Sequence, residues 1–560
     1  MDRLKQLDFA YSKLETAVSS SKRTLVDSRQ FSWIRRFALD YTYDFSNVSA
    51  YFMGDPMSSE AWHTRITGQT NHGRDTDTIA DILETQQQQR GAPPAALAAT
   101  QRLRKPNSVA IVTGQQAGLF GGPFFTLLKA ITVLQLAEQM AEAHKVPIVP
   151  IFWIDSEDHD WEEIGSCNVL NTELKQTSIT LIPPPGAGTN PVASLRIGPD
   201  VKEVISELKD SLTPTEFTDE LIGQLQDTYV EGRGVADAFG RWLESFLGER
   251  GLVVFDGSDS SAKHLVAGVF EKEVRAKGHT AALAATAGSQ LAASGYHAQV
   301  KPQPDSVNLF RIDSTRQAIR RNDDGFIVGK HLYSTDELVS ELLAHPERFS
   351  PNVLLRPLVQ DTLFPTVCYV SGPNELSYFG QLREVYKYFG VPMPLIYPRA
   401  SATIIDSATS RFLSRTNLPM ETLHPQDEAA LNHFLEAQLP SAVEQSMQSV
   451  GSSLQENMKD LIAAVPTVDP TLTAATQSTL NRMERDLHNL HKKILNATKR
   501  KNATLRRQFF RAQAQLFPHG DPQERAVGFV YFLNLYGPTF IDLLVNELSM
   551  APKQHSVLRP

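Results

Sequence analysis

Two uninterrupted apolar runs joined by a helix-period segment dominate the chain between Asn107 and Glu163. Val109–Val112 is the first run, and Val146–Ile154 is the second. Between them, Phe125–Ala141 carries Leu128, Ile131, Leu134 and Leu136 near one stripe. Strand, turn, helix and strand make a βαβ unit, and strands apolar throughout belong to a parallel sheet covered on both faces. The first run ends in Thr113-Gly114 and a turn holding Gly118, Gly121 and Gly122, and the second opens onto Ser156-Glu157-Asp158-His159-Asp160. Ligands of open α/β sheets bind at the carboxyl ends of the strands. Both polar turns therefore stand where a site is expected.

The same pattern organises the rest of the chain. Residues up to about 105 read as peripheral helices, with Trp33, Phe37 and Tyr41 at helical spacing facing a core. Ser178–Ile182 and Val192–Ile197 alternate like a hairpin pair around the breaker-rich PPPGAGTNP, and helices follow near 200–212, 217–229 and 234–249. Gly251–Phe255 resumes the buried-strand pattern and ends at Asp256, which suits a ribose or ammonium ligand or a helix N-cap. Helices at 260–277 and 279–294 precede short strands at Gly295–Val300 and Asn308–Ile312. Thr366–Val370 and Pro394–Tyr397 read as the last sheet strands. Beyond them, Leu480, Met483, Leu487, Leu490, Ile494 and Ala497 are spaced 3, 4, 3, 4, 3, a heptad seam. Pro466 and Pro470 separate this helix from an earlier one, which predicts an antiparallel coiled-coil hairpin that dimerises.

The predicted class is α/β: a Rossmann-like parallel-sheet core with two connecting insertions and a C-terminal α-helical antiparallel coiled coil. N-terminal helices and the first part of the core occupy 1–170, the first insertion 171–250, continued core 251–295, and the second insertion 296–350. Core completion falls at 351–425, the coiled-coil hairpin at 426–518, and a tail packing back on the core at 519–560.

Composition narrows the function. A net charge of −9 disfavours a general nucleic-acid binder. Two cysteines, Cys167 and Cys368, are too few for a disulfide framework or zinc cluster and have no adjacent base, so a reducing cytoplasm fits best and a nucleophile role is disfavoured. MDRLKQLDFAYSKLE lacks an apolar signal core, and no apolar run is long enough to span a membrane.

The candidate chemistry gathers at the strand ends. Thr113, Gly114, Gln115, Gln116, Gly118, Gly121 and Gly122 form a polar glycine turn feeding a helix, a setting in which backbone N–H groups and the helix dipole favour phosphate. The turn lacks both the Walker lysine and GxGxxG spacing. Lys129 reaches a phosphate or lies on the surface. Glu157, Asp158, Asp160, Glu162 and Glu163 place five carboxylates around His159, more than capping requires. That cluster suits a divalent metal, or His159 contacts ATP phosphates and stabilises charge during transfer. His297, Gln299, Arg356, Gln360 and Asp361 are candidate substrate contacts, and Arg399 and Ser401 follow the last sheet strand as phosphate-stabilising candidates. The basic coiled-coil face (Lys492, Lys493, Lys499, Arg500, Lys501, Arg506, Arg507, Arg511) is a solvated surface or a phosphate site.

The segments VTGQQAGLFGGPFFTLLKA, PIFWIDSEDHDWEEI, GYHAQV, NVLLRPLVQDTLFPT, YVSGPNELSYFGQL and PMPLIYPRAS resemble the bacillithiol biosynthesis cysteine-adding enzymes nearly end to end. Two departures are Asp155, where that family more usually has a small residue, and Ser371, where glycine is commoner. The resemblance implies a core similar to class I aminoacyl-tRNA synthetases and nucleotidyl transferases, with a dimerising coiled coil. It implies a cytoplasmic ligase that joins cysteine to glucosaminyl-malate with ATP and Mg²⁺, through an acyl-adenylate or acyl-phosphate. His159, Asp158 and Glu157 are then catalytic, the glycine turn with Arg399 and Ser401 binds nucleotide, and Trp153 and Asp155 join the substrate contacts. No residue is assigned to a resident metal. Three other readings stay open: a ligase of another amino acid, a nucleotide-binding coiled-coil dimer that assists a partner enzyme, and a metal-dependent hydrolase that rests on the Glu157–Asp160 run alone.

Overall fold

The computed structural model describes residues 22–70, 74–313, 315–437 and 439–560. The N-terminal stretch read above as lacking a signal core lies outside these residues. The chain divides into two compact units, Met1–Ile404 with Gln523–Pro560, and Ile405–Pro522.

The first unit is built on a five-stranded parallel sheet. Its strands are β1 (Val109–Gln115), β2 (Ile148–Ile154), β3 (Val253–Asp256), β4 (Thr366–Ser371) and β5 (Leu395–Pro398), in the spatial order β5-β4-β1-β2-β3. Residues alternate between two cores. Val109 and Ile111 pack with Leu128, Ile131 and Phe532 on one face, and Ala110 and Val112 pack with Leu83, Val266 and Phe270 on the other. Because both faces are covered, the strands read as continuous apolar runs rather than as alternating ones. Helix α1 (Phe124–His144) connects β1 to β2; it starts behind Pro123 and stops where Lys145 turns left-handed, two residues before Pro147. The chain fills one side of the sheet from β1 to β3 and then returns to place β4 against the other edge of β1. That reversal opens a crevice at the carboxyl ends of β1 and β4.

Four segments depart from the sequence reading. Arg23–Asp27 is a strand and Trp33 lies in a turn ahead of the helix Arg36–Tyr43, so only Phe37 and Tyr41 of that trio are buried helix positions. Val192–Ser194 is a short 3-10 turn, and the hairpin is instead Ser166–Leu170 with Gln176–Thr180. The amides of Val192 and Ala193 are spent on Asp158 O and Ser156 O (both 2.8 Å), which ties this segment to the acidic loop. Gly295–Val300 is not a strand, because the Gln381 side chain bonds both backbone groups of Val300. Arg356, Gln360 and Asp361, which the pattern left outside any helix, lie on helix α2 (Arg356–Leu363). A second five-stranded sheet, antiparallel, contains Ser306–Ile312 and Arg316–Asn322, and a three-stranded sheet joins Arg23–Asp27, Gln554–Leu558 and Ser401–Ile404. After β4 comes helix α3 (Pro373–Phe379).

The second unit starts at Ile405, earlier than the pattern suggested, because Phe412 packs on Phe509 of that unit (6.4 Å between ring centroids). Its long helices are α4 (Ser441–Ala464) and α5 (Leu472–Lys501). Gln455 reaches Glu484 and His491 meets Glu444, so the pair is antiparallel. Leu480 and Leu495 are buried and Leu487 lies against Gly451 of α4, whereas Met483 and Leu490 of the heptad seam face solvent. Of the basic face, Lys499 and Arg506 pair with Glu428, and Arg511 with Asp406.

Candidate active site

The crevice holds a cavity of about 530 Å³. Gly114 and Gln115 end β1, Asp155 and Asp158 follow β2, Gly372 follows β4 and Arg399 follows β5; all line it. Phe310 and Arg316 come from the second insertion, Asn352 from the stretch ahead of α2, Arg356 from α2, Glu375 and Tyr378 from α3, and Arg525 from the C-terminal segment.

Lys129 interrupts an otherwise apolar stretch of α1 and is buried. Its ammonium donates to Gly114 O (2.8 Å) and Gln115 Oε1 (3.0 Å) and pairs with Glu375 Oε2 (2.5 Å). An ammonium has three donors, and these three acceptors occupy them. Glu375 also accepts from the Gly372 amide (2.6 Å) and the Tyr369 hydroxyl (2.7 Å). Burial pushes the Glu375 carboxyl up, but Lys129 and these donors outweigh it and hold it below the usual range. Lys129 therefore staples β1 to the turn after β4, and is neither on the surface nor free to reach a phosphate.

Arg356 and Asp155 face the cavity together. The Arg356 guanidinium sits over the rings of Trp153 and Tyr369 (5.9 and 5.6 Å to the centroids), and its Nη1 donates to Gln360 Oε1 (3.1 Å). The Asp155 carboxylate has no hydrogen-bond partner among the described residues. Burial pushes its carboxyl up, Arg356 and Arg316 oppose the shift, and Asp158 and Glu375 add to it. An acid so placed is a better proton acceptor than a solvated carboxylate.

Arg316 organises the acidic loop. It lies 3.8 Å over the Phe310 ring, donates to Ser350 Oγ (3.2 Å) and Pro351 O (3.0 Å), and reaches Asp158 (3.4 Å) and His159 Nδ1 (3.2 Å) through Nη1. A guanidinium only donates, so His159 Nδ1 accepts and the ring proton sits on Nε2. Asp158 also accepts from Gln116 Nε2 (2.7 Å).

The structure thus brings Gly114, Gln115, Gln116, Lys129, Asp155, Asp158, Glu163, Gln299, Arg356 and Arg399 to one cavity. The other candidates lie elsewhere. Glu157 is buried in an ion pair with Lys263, and His159 is half-buried beside the cavity rather than on its wall. Thr113 ties β1 to Val370 O, and Ser401 bonds His555 in the three-stranded sheet. His297 is exposed, and Trp153, Gln360 and Asp361 lie buried behind Arg356. Gly118, Gly121 and Gly122 are packing glycines here. A Cβ on Gly118 would come within 2.8 Å of Gly122 Cα, and one on Gly121 within 2.2 Å of the Phe529 ring. The first helical amide, Phe124 N, is taken by Val527 O (2.8 Å), so the C-terminal segment covers the turn expected to cradle phosphate.

Arg316, Glu375, Tyr378 and Arg525 were missed by motif reading. They stand far apart in sequence, and only a lysine amid apolar helix positions (Lys129) signalled a buried charge. Arg525 forms no ion pair among the described residues and stacks on Phe125 (5.6 Å), whose ring Arg399 also approaches (5.5 Å). Arg399 itself is held bidentately by Glu524 (2.6 and 3.1 Å). No group of three metal-ligating side chains occurs among the described residues. A Mg²⁺ brought on nucleotide phosphates needs only one or two protein carboxylates, and Asp155 and Asp158 meet that requirement.

A doubly wound sheet with a crevice at its switch point, lined by paired and unpaired charges, defines a Rossmann-like protein. Residues 25–400 match the family described as bacillithiol biosynthesis BshC, N-terminal Rossmann-like domain, and residues 402–560 match its C-terminal coiled-coil domain. A Salinibacter ruber protein named "Putative cysteine ligase BshC" is 34% identical over 93% of this chain and 95% of its own length. Proteins of the same name from Koribacter versatilis and Bacillus velezensis are 33% and 28% identical, over 86% and 92% of this chain and 90% and 96% of theirs. The chain belongs to the bacillithiol biosynthesis BshC family.

Proposed function

We propose that this protein is a cytoplasmic ligase that joins the carboxyl of cysteine to the amine of glucosaminyl-malate, with ATP activating the carboxyl. The observation that carries the reading is that unpaired Asp155 and Arg356 line the same switch-point cavity, in a family whose members are named cysteine ligases. A cysteine carboxylate oxygen attacks a phosphorus of ATP, releasing pyrophosphate if an acyl-adenylate forms or ADP if an acyl-phosphate forms. The glucosaminyl amine then attacks the acyl carbon, AMP or phosphate leaves, and the amine proton passes to Asp155. Arg356 holds a carboxylate, and Arg525 at the cavity edge holds phosphate oxygens. His159 and Asp158, with Arg316 behind them, bound the side where the polyphosphate charge is placed.

Homodimerisation through the coiled coil belongs to the same reading, supported by Met483, Leu490 and Val450, which stand 44, 49 and 55% exposed on α4 and α5. Light scattering that returned a monomer would overturn that part. Incubating the protein with cysteine, glucosaminyl-malate, ATP and Mg²⁺ and following bacillithiol, AMP and ADP by mass spectrometry tests the activity. Bacillithiol with AMP supports the adenylate route, and bacillithiol with ADP the acyl-phosphate route. Folded protein that yields no product refutes the ligase assignment.

A further inference from the structure

Behind Arg356 runs a chain of buried polar groups that leads away from the cavity. Arg356 Nη1 donates to Gln360 Oε1 (3.1 Å), Gln360 Nε2 donates to Asp361 Oδ1 (2.8 Å), and the Tyr386 hydroxyl donates to Asp361 Oδ2 (2.5 Å). Gln360 and Asp361 have no exposed surface. A guanidinium can only donate and a carboxylate can only accept. A glutamine between them satisfies both in one orientation, with its amide nitrogen toward the acid and its oxygen toward the arginine. Protonated Asp361 can donate as well as accept, so the amide loses that constraint and can turn its NH₂ against the guanidinium. With two ring faces beside it, from Trp153 and Tyr369, Arg356 has no other fixed in-plane acceptor among the described residues except the Tyr378 hydroxyl.

We propose that Asp361 is a positioning residue which, through Gln360, sets the orientation of the Arg356 guanidinium and so the affinity of the cavity for a carboxylate ligand. The proposal rests on the reading of Arg356 as a carboxylate-binding group. The groups facing Asp361 are Arg356 and Gln360 of α2, Tyr386 of the helix Arg383–Phe389, Thr366 at the start of β4, and Arg74, whose Nη2 donates to Asp361 O (2.9 Å). Burial pushes the Asp361 carboxyl up to about 6, against the hydrogen bonds from Tyr386, Gln360 and Thr366 and the Arg356 charge. The relay is therefore intact above that pH and released below it.

In the ligase assay, Asp361→Asn raises KM roughly ten- to a hundred-fold for the substrate whose carboxylate Arg356 holds, a loss on the scale of one charged hydrogen bond, with kcat within about three-fold. The wild-type KM rises as pH falls through about 6, and Asp361→Asn flattens that profile. Tyr386→Phe removes a donor from the carboxylate and moves the break to higher pH, and it serves if Asp361→Asn does not fold. Unchanged KM values in a folded, active Asp361→Asn variant, or a flat wild-type KM profile, overturn the relay. If the wild type ligates nothing, the ligase reading fails on its own account, and L-malate titrated calorimetrically decides the relay. About ten-fold weaker malate binding by Asp361→Asn supports it. Equal binding, or no binding to the wild type, overturns it.

Discussion

Replacing Lys129 with methionine removes one charge from a buried staple while keeping nearly the same volume. The wild-type ammonium satisfies Gly114 O, Gln115 Oε1 and Glu375 at 2.8, 3.0 and 2.5 Å, with a side chain only 3% exposed. Its loss leaves the Glu375 carboxylate buried with two donors in place of three. Breaking a buried pair by deleting one partner costs about 3–5 kcal/mol, whereas a surface lysine would cost less than ~0.5 kcal/mol. The buried placement and the surface placement that sequence reading allowed thus differ several-fold in outcome. All five tryptophans lie in the first unit, so fluorescence during urea unfolding reports that unit. Lys129→Met combined with Glu375→Gln is expected to be more stable than the single Lys129→Met variant, because no charge is then stranded. The pH dependence follows the sign of the Glu375 shift. Its carboxyl is held below the usual value of 4.5, so its contribution is present above that pH and fades as pH falls through the lowered folded-state value. A Lys129→Met variant with the wild-type urea midpoint would refute the assignment of this pair as structural.

Asp155→Asn should lower kcat by about 10²–10⁴-fold, the usual contribution of a general base. In the wild type, the rate should fall as pH drops through the raised Asp155 value, and a variant that keeps both rate and pH limb would exclude Asp155 as the base. Gly121→Ala, at φ +95 with its Cβ within 2.2 Å of the Phe529 ring, should destabilise by about 2–4 kcal/mol from overpacking and left-handed strain. Gly268→Ala, on a helix with no neighbour within 4 Å, should instead be neutral or gain about 0.5–1 kcal/mol, and thermal melts of the two variants check the contrast.

The parallel core was legible because a strand buried on two faces must be apolar along its whole length. Val109–Val112 and Val146–Ile154 announced β1 and β2, and the helical stretches at 200–249 and 260–294 were placed by periodicity alone. The heptad spacing likewise announced the long hairpin, but not which of its positions meet α4 and which face solvent. Sequence also placed Asp158 and Gln116 among the candidates, since polar residues clustered at apolar strand ends need a reason to be there, and the family resemblance added Asp155.

What tertiary structure alone decided is which polar groups meet. The glycine turn has the composition of a phosphate loop, yet Val527 and Phe529, some four hundred residues away along the chain, cover it. Glu157 belongs to the same acidic run as Asp158, but Lys263 draws one inward while Arg316 holds the other at the cavity. Hydrophobic period is a local property that the chain carries in its own order. The pairing of charges depends on which distant strand ends the fold brings within a few ångströms, and no local pattern encodes that distance.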